Sequence, residues 1–150
     1  MIKIRNFEPQ DAEAVSAVIR ERMRISNGKD YSFDILEPLI EYFSPEKVLQ
    51  LSRERHCLVA ETNGRIVGTI AIEAAELCTF FVHPNFQGKG IGTGLLKAIE
   101  KIALAKGIRK TKIASSITGD PFYEKSGYRK TGIEKEAAAG RQIEMEKNLG

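Results

Sequence analysis

One stretch in the middle of the chain limits the possible folds more than any other feature: a strand, a glycine-rich loop, a long helix and a second strand follow one another. Leu77–Val82 is rich in aromatic and β-branched residues, as strands are. Beyond the glycines, apolar residues recur at helical spacing over Ile91–Ala103, and Gly107 suits the helix end. Lys110–Ala114 is the second strand. A strand, a crossover helix and another strand predict a parallel pair with a right-handed connection.

The flanking segments predict an antiparallel meander and further helices. Cys57–Glu61 and Arg65–Ile72 are strand-like, and Asn63-Gly64 between them is typical of a two-residue hairpin. Other elements are expected at Ile2–Phe7 (strand), Pro9–Ser26, Phe33–Phe43, Ser44–Lys47 and Pro121–Ser126 (helices), and Tyr128–Ile133 and Gln142–Lys147 (strands). The predicted fold class is therefore α/β (α+β), a single domain over residues 1–150 with a mixed sheet of about seven strands and helices on both faces.

The bulk properties exclude several classes of protein. The chain has 150 residues and a formal net charge of only +3, so no nucleic-acid partner is expected. Its longest apolar run, Ile66–Ile72, is far shorter than the ~20 residues that span a bilayer, and no signal-like block opens the chain, so we expect no membrane association and a cytoplasmic location. Cys57 and Cys78 form no CxxC motif, so we expect buried inert thiols and no metal site.

The loop between the strand and the helix has the features of an anion-binding site. Glycines alternate at Gly88, Gly90 and Gly92, where the N–H groups of a helix start point outward and the missing Cβ atoms allow close approach. Lys89 adds a positive charge. The Walker spacing G-x-x-x-x-G-K-[ST] is absent from the sequence, and the dinucleotide spacing G-x-G-x-x-G fails because position 93 is Thr93. Both nucleotide motifs are thus disfavoured.

The same segment resembles the signature of the GCN5-related N-acetyltransferase (GNAT) family. That family carries Gln/Arg-x-x-Gly-x-Gly/Ala at a strand-to-helix junction shortly after Val-x-Pro, and this chain has it in Val82–Gly92. Gly64–Gly68 resembles the family's hairpin between its second and third strands, and Phe122–Tyr128 resembles its Phe-Tyr-Glu-Lys-x-Gly-Phe segment. The three matches occur in the family's order, and the resemblance covers essentially the whole chain.

The resemblance implies that the anion is the pyrophosphate of acetyl-CoA. Backbone N–H groups would hold it, and the strand containing Phe81 and Val82 would pair with the pantetheine arm, with a backbone N–H near Val82 polarising the thioester carbonyl. Ser116 stands where the family often has asparagine, and it can still bond the pantetheine arm. The loop residues implicated are Gln87, Gly88, Lys89, Gly90, Ile91, Gly92 and Thr93.

The resemblance also suggests groups for proton transfer. Tyr123 matches the family's general acid, which protonates the departing thiolate; the alternative is a tyrosine that merely packs beside coenzyme A. Glu76 is the candidate general base because members often carry a glutamate near the start of this strand, and Glu73 is its rival. His83 and His56 are interpreted as exposed side chains at loop and strand ends, without a catalytic role.

The acceptor is expected to bind near residues 26–55. This segment contains the aromatic residues Tyr31, Phe33, Tyr42 and Phe43 and the acidic residues Asp30, Asp34, Glu37 and Glu41. A cationic amine would suit it, but a core-facing aromatic side and a solvated acidic face are the simpler explanation for each residue, so none is named as a substrate ligand. The acceptor would be a small-molecule or protein amine, and family analogy suggests a homodimer. The alternative function is a non-catalytic acyl-CoA-binding sensor or partner module.

Overall fold

The computed structural model describes residues 1–25, 33–116, 120–137 and 140–150. In chain order the elements are β1 (Ile2–Asn6), α1 (Ala12–Ile25), α2 (Phe33–Tyr42), α3 (Pro45–Glu54), β2 (His56–Thr62), β3 (Arg65–Glu73), β4 (Glu76–Val82), α4 (Ile91–Ala105), β5 (Lys110–Ser116), α5 (Asp120–Lys125), β6 (Arg129–Ala137) and β7 (Gly140–Asn148). Short 3-10 turns precede α1 at Pro9–Asp11 and follow β4 at Pro84–Phe86. The seven strands form one sheet in the order β1-β2-β3-β4-β5-β7-β6. The predicted mixed sheet is confirmed.

The first four strands form the expected antiparallel meander. The β2–β3 hairpin turns at Asn63 and Gly64, whose φ angles of 52° and 76° are both positive, as a type I′ turn requires. β3 and β4 pair from Gly68–Val82 to Glu73–Glu76, with a bulge opposite Ile70. The Asn63-Gly64 turn therefore fixes the register between β2 and β3.

The predicted parallel pair is present, but the two strands part almost at once. In the described part of the chain, β4 and β5 pair at one position, Glu76 with Lys112. β5 instead pairs along its length with β7, from Lys110–Asn148 to Ser116–Gln142. The remainder of β4 consequently borders an open, V-shaped gap in the sheet.

Helices cover both faces of the sheet, as predicted. α4 packs Leu95 and Ile99, each 0% exposed, against β3 and its neighbours on one face. On the other face α1 buries Ile19 together with Val48 of α3. Burying one such side chain contributes roughly 1.5–3 kcal/mol, so these two layers hold the sheet rigid around the gap.

Several predicted boundaries need correction. The first helix begins at Ala12 because Pro9–Asp11 forms a separate turn. β6 and β7 extend further than expected: Glu134–Ala137 and Gly140–Arg141 contain no large apolar side chain, yet they pair backbone to backbone. Hydrophobic alternation cannot detect such residues, because their strand conformation depends on main-chain hydrogen bonds and not on burial.

The predicted absences can be compared only with the described residues. There, no helix is long and apolar enough to cross a bilayer, and no three His, Cys, Asp or Glu side chains could together hold a metal ion. Cys57 and Cys78 are free thiols and half-buried, so they are less enclosed than expected. Burial raises the pKa of Cys57 to about 11, which keeps this thiol protonated and unreactive at neutral pH.

Candidate active site

The glycine loop gives α4 a start with no side-chain cap. Gly90 is the N-cap residue and adopts φ +83°, and Gly88 has φ +77°; L side chains rarely take this left-handed conformation. Because glycine has no side chain to accept hydrogen bonds, the N–H groups of the first turn of α4 remain available to a ligand. The helix dipole favours an anion at the same place.

A cavity of about 540 Å³, here called the loop cavity, joins this helix start to the open edge of β4. Its lining comes from four parts of the chain: α1, β4, the loop with the start of α4, and α5. The residues are Arg22, Phe80, Val82, Phe86, Gln87, Gly88, Gly90, Ile91, Gly92, Thr93, Phe122 and Tyr123. An elongated anion bound at the helix start can therefore extend along β4 towards Tyr123.

Tyr123 projects from α5 into an aromatic surrounding. Its ring centroid lies 6.2 Å from that of Phe80 and 5.4 Å from that of Phe122. Burial raises the pKa of its hydroxyl well above the ordinary value, and the nearby charge of Arg22 opposes this only in part. The phenol is therefore fully protonated at neutral pH and can act as a proton donor.

The backbone of β4 presents unused hydrogen-bonding groups to the gap. The N–H of His83 donates to the carbonyl of Val67 over 2.8 Å, so by strand alternation the groups of Val82 point away from β3. Those of Phe81 point towards β3, and its side chain packs on Phe43 at 6.2 Å, on the other face of the sheet. The backbone groups of Val82 thus face the gap, whereas those of Phe81 face β3.

A family comparison agrees with this geometry. A model described as the acetyltransferase (GNAT) domain matches residues 27–149. A spermidine N(1)-acetyltransferase from Thermoplasma acidophilum is 30% identical over 142 residues, which are 85% of this chain and 88% of that protein.

The chain belongs to the GNAT family. It is an N-acetyltransferase, so the alternative of a non-catalytic binding module is not retained.

Solved structures show the same fold. The PaiA N-acetyltransferase of T. acidophilum, solved in complex with coenzyme A, is 28% identical with a TM-score of 0.83, covering 99% of each chain. A GCN5-related N-acetyltransferase from Rhodopseudomonas palustris reaches a TM-score of 0.89 at 23% identity, covering 97% of this chain and 94% of that one. At that identity the second likeness concerns the fold alone.

In this acetyltransferase, Glu76 lies outside the loop cavity. Glu76 lies at the closed end of the gap, where β4 still pairs with β5, six residues or about 20 Å of strand from Val82. Its half-exposed carboxylate is 3.5 Å from the ammonium of Lys135, which also contacts Glu144 at 3.3 Å. The rival Glu73 is bonded to Arg55 at 3.0 Å. Neither carboxylate lines the loop cavity.

Two predictions about the loop's surroundings change. His83 was expected to be exposed, but it is 9% exposed because the turn Pro84–Phe86 folds back over it. Lys89 lies beside the loop cavity instead of lining it, with its ammonium 5.6 Å from the ring centroid of Phe86. The side chain of Ser116 lies outside the described residues.

Four lining residues escaped the sequence reasoning: Arg22, Phe80, Phe86 and Phe122. Phe86 and Phe122 stand inside the recognised motifs and could have been included. The side chain of Phe80 lines the cavity because of the bulge in β4, and that of Arg22 does so because of the way α1 crosses the sheet. No local sequence pattern reveals either feature.

The expected acceptor segment is only partly described. Asp30 and Tyr31, and the side chains of Phe33 and Asp34, lie outside the described residues. On α2, Glu37, Glu41 and Tyr42 are exposed, and Tyr42 contacts Phe43 edge to face at 5.0 Å. Because Phe43 in turn meets Phe81, an aromatic row runs from α2 to the back of β4.

Proposed function

We propose that this protein transfers the acetyl group of acetyl-CoA to a primary amine by direct attack in a ternary complex. The observation that carries the proposal is the loop cavity itself. It connects an uncapped helix start, the free edge of β4 and the protonated phenol of Tyr123. These suit, in that order, a pyrophosphate, a pantetheine amide and a thiolate leaving group.

The roles follow from the groups that each residue offers. Backbone N–H groups between Gly88 and Thr93 bind the pyrophosphate, with Lys89 adding positive charge from the side. The N–H of Val82, which faces the gap, polarises the thioester carbonyl while a negative charge develops on its oxygen. As the amine nitrogen bonds to the carbonyl carbon and the carbon–sulfur bond breaks, Tyr123 gives its proton to the sulfur.

Glu76 is proposed to receive, through a chain of water molecules, the proton that the amine must lose, because its distance from Val82 along β4 is too long for direct contact. At the closed end of the gap its half-exposed carboxylate lies within reach of solvent. Replacing Glu76 by Gln should lower kcat/KM most strongly at low pH, where free amine is scarce, and should leave the Kd for acetyl-CoA unchanged. An unaltered pH–rate profile would exclude Glu76 as the base.

We further propose that the acceptor is a cationic polyamine of the spermidine type. The relative that is 30% identical is a spermidine N(1)-acetyltransferase. In this chain, exposed Glu37 and Glu41 lie one helical turn apart beside Tyr42, a combination that attracts ammonium groups by charge and by cation–π contact.

An amine panel tests the proposal. Free thiol released from acetyl-CoA is followed with spermidine, spermine, putrescine, propylamine and a lysine-containing peptide, and products are identified by mass spectrometry. We expect spermidine to exceed propylamine in kcat/KM by about two- to fivefold, since an ion pair with an exposed carboxylate contributes roughly 0.2–1 kcal/mol. Preference for the peptide or for propylamine would contradict the polyamine assignment, and no turnover with any amine would contradict the proposed reaction.

A further inference from the structure

Among the described residues that line the loop cavity, Arg22 carries the one formal charge. The other lining residues offer aromatic rings, aliphatic side chains, backbone groups and the uncharged polar side chains of Gln87, Thr93 and Tyr123. A charge acts more strongly in such a surrounding than in water, because little solvent screens it. Arg22 therefore affects any step that creates charge inside the cavity.

The helix α1 directs Arg22 towards the cavity. Val18, one helical turn earlier, is 3% exposed, and the following residue, Met23, is 5% exposed. Arg22 thus leaves α1 at the border of its buried face, and Nη1 of its guanidinium is shielded from solvent. An arginine keeps its charge in such a place, because its pKa lies far above neutral pH.

The charge of Arg22 acts on the hydroxyl of Tyr123, which lines the same cavity from α5. Burial raises the pKa of this hydroxyl, and the positive charge of Arg22 lowers it again in part. A cation has this effect because it stabilises the phenolate, the charged form of tyrosine. The two side chains are therefore close enough for the ionisation of one to depend on the other.

Other charged side chains near Tyr123 are neutralised or exposed. Glu100 and Lys147 form an ion pair at 3.1 Å, so their charges largely cancel. On α5 itself, Glu124 and Lys125 are exposed to solvent, which screens their charges.

The acid step proposed for Tyr123 leaves a negative charge on its oxygen. The O–H bond breaks, and the proton goes to the sulfur as the carbon–sulfur bond breaks. Because a phenol has an ordinary pKa of about 10 and a thiol one of about 8.5, this transfer is already uphill in water. Burial destabilises the phenolate further. A positive charge beside the hydroxyl offsets both effects.

We propose that Arg22 is a positioning residue of the acetyl transfer, which stabilises the phenolate that Tyr123 becomes when it protonates the thiolate. This inference rests on the acid role proposed for Tyr123. The proton that the amine gives up then returns from Glu76 through water to the phenol oxygen, so the step needs no further reactant. A contact between Arg22 and a phosphate of the co-substrate is the rival explanation, and it would change affinity instead of turnover.

Substitutions of Arg22 separate these explanations. Arg22→Met keeps the length of the side chain and removes the charge. An opposite charge nearby changes a pKa by about 1–3, and a half-transferred proton feels about half of that, so kcat should fall roughly three- to thirtyfold. The Kd for acetyl-CoA, measured by calorimetry, should stay unchanged. A higher Kd with unchanged kcat would overturn the proposal in favour of the phosphate contact.

Two further variants are the controls for this measurement. Arg22→Lys keeps a positive charge and should lose less activity than Arg22→Met. Arg24→Met removes an exposed arginine of the same helix that does not line the cavity, and it should leave kcat unchanged. Equal losses in the Arg22→Met and Arg24→Met variants would contradict a specific role of Arg22.

A double-mutant cycle distinguishes failure of this inference from failure of the acid role. If Arg22 acts through Tyr123, adding Arg22→Met to Tyr123→Phe should cause no further fall in kcat. Equal fold losses in both backgrounds would overturn the inference and leave Tyr123 as the acid. An absence of any effect of Tyr123→Phe would overturn both.

A measurement without turnover completes the test. Tyrosine is replaced throughout the protein by 3,5-difluorotyrosine, whose more acidic phenol ionises at lower pH, and ionisation is followed by ¹⁹F NMR. The chain has four tyrosines, and the Tyr123 signal is the one missing from Tyr123→Phe. Arg22→Met should raise the pKa of this phenol by about 1 or more, whereas Arg24→Met should not change it. Equal pKa values with and without Arg22 would overturn the proposal.

Discussion

Tyr123 is the side chain on which the proposed chemistry depends most. Burial raises the pKa of its hydroxyl, so the phenol holds its proton throughout the neutral and mildly alkaline range. A group with a raised pKa loses the proton only at higher pH than usual, so the activity should not decline from ionisation of Tyr123 below its ordinary pKa of about 10.

Replacing Tyr123 by Phe should remove the proton donor and keep the ring contacts with Phe80 and Phe122. We expect kcat to fall by about a hundredfold, the lower end of general acid catalysis, and the Kd for acetyl-CoA to change little. Steady-state kinetics and calorimetry measure the two quantities. Unchanged turnover would show that the hydroxyl merely packs beside the co-substrate.

Tyr128→Phe is the matched control. The Tyr128 ring lies 6.1 Å from that of Tyr123, but its hydroxyl bonds to Thr111 at 2.7 Å and Glu100 at 2.8 Å, outside the loop cavity. Its removal should cost about 1–3 kcal/mol of stability because a buried charged carboxylate loses a donor, while kcat of the folded enzyme is retained.

At the scale of elements, the strand–loop–helix unit was the most predictable part of the molecule. The spacing of Ile91, Leu95 and Ile99 and the turn dipeptide Asn63-Gly64 determined α4 and the β2–β3 hairpin correctly. Local patterns were sufficient here because the helix face and the turn depend on nearby residues alone.

The bulge in β4 could not be predicted in the same way. Thr79 has φ +44°, a conformation that β-branched residues rarely adopt, and no residue type marks it in advance. The extra residue changes which side chains face the loop cavity: Phe80 lines it, and Phe81 packs on the other face. The sequence therefore predicted the strand that borders the loop cavity, but it could not predict which side chains of that strand line the cavity.

Gly68→Ala tests how closely α4 must approach β3. A Cβ on Gly68 would lie 2.9 Å from Cδ1 of Leu95 and 3.2 Å from Cγ2 of Ile91, and both residues are buried. The first turn of α4 must then shift, at a cost of about 1–3 kcal/mol, and its N–H groups shift with it. We expect a lower Tm and a several-fold higher Kd for coenzyme A.

Ser44→Ala is the control for this prediction. The Ser44 hydroxyl caps α3 by accepting the N–H of Lys47 at 3.2 Å, on the other face of the sheet. Its loss should cost about 1 kcal/mol and leave coenzyme A affinity unchanged. Parallel losses of affinity in both variants would show that affinity follows global stability and not the position of α4.

At the scale of the whole molecule, Arg5 connects the first strand to the helical face. Its guanidinium bonds to Asp11 at 2.8 and 3.0 Å and to Glu61 of β2 at 3.3 Å, and Asp11 also accepts the N–H of Glu8 at 2.7 Å. These bonds, Arg5 first, hold the pKa of Asp11 below its ordinary value.

Asp11→Asn should therefore destabilise the protein in a pH-dependent manner. A depressed folded-state pKa contributes stability above the unfolded pKa of about 3.9, and this contribution disappears as the pH falls through the folded value. We expect urea melts to show a loss of roughly 2 kcal/mol at pH 7, since hydrogen bonds to charged groups contribute about 1.5–3 kcal/mol, and a smaller difference below pH 4. A difference independent of pH would contradict this role.

Family membership could be predicted from sequence motifs, whereas the identity of the acceptor could not. The proposed donor site uses backbone N–H groups at a fixed helix start, which a glycine pattern reveals. The proposed acceptor surface around Tyr42 of α2 depends on side chains that only the folded chain brings together.

A crystal structure of the protein with coenzyme A tests the central claim most directly. We predict the pyrophosphate within about 3 Å of backbone N–H groups between Gly88 and Thr93, and the thiol sulfur within hydrogen-bonding distance, about 3.5 Å, of the Tyr123 hydroxyl. The pantetheine arm should run along the free edge of β4 at Val82. Coenzyme A bound elsewhere, or a sulfur far from Tyr123, would contradict the account.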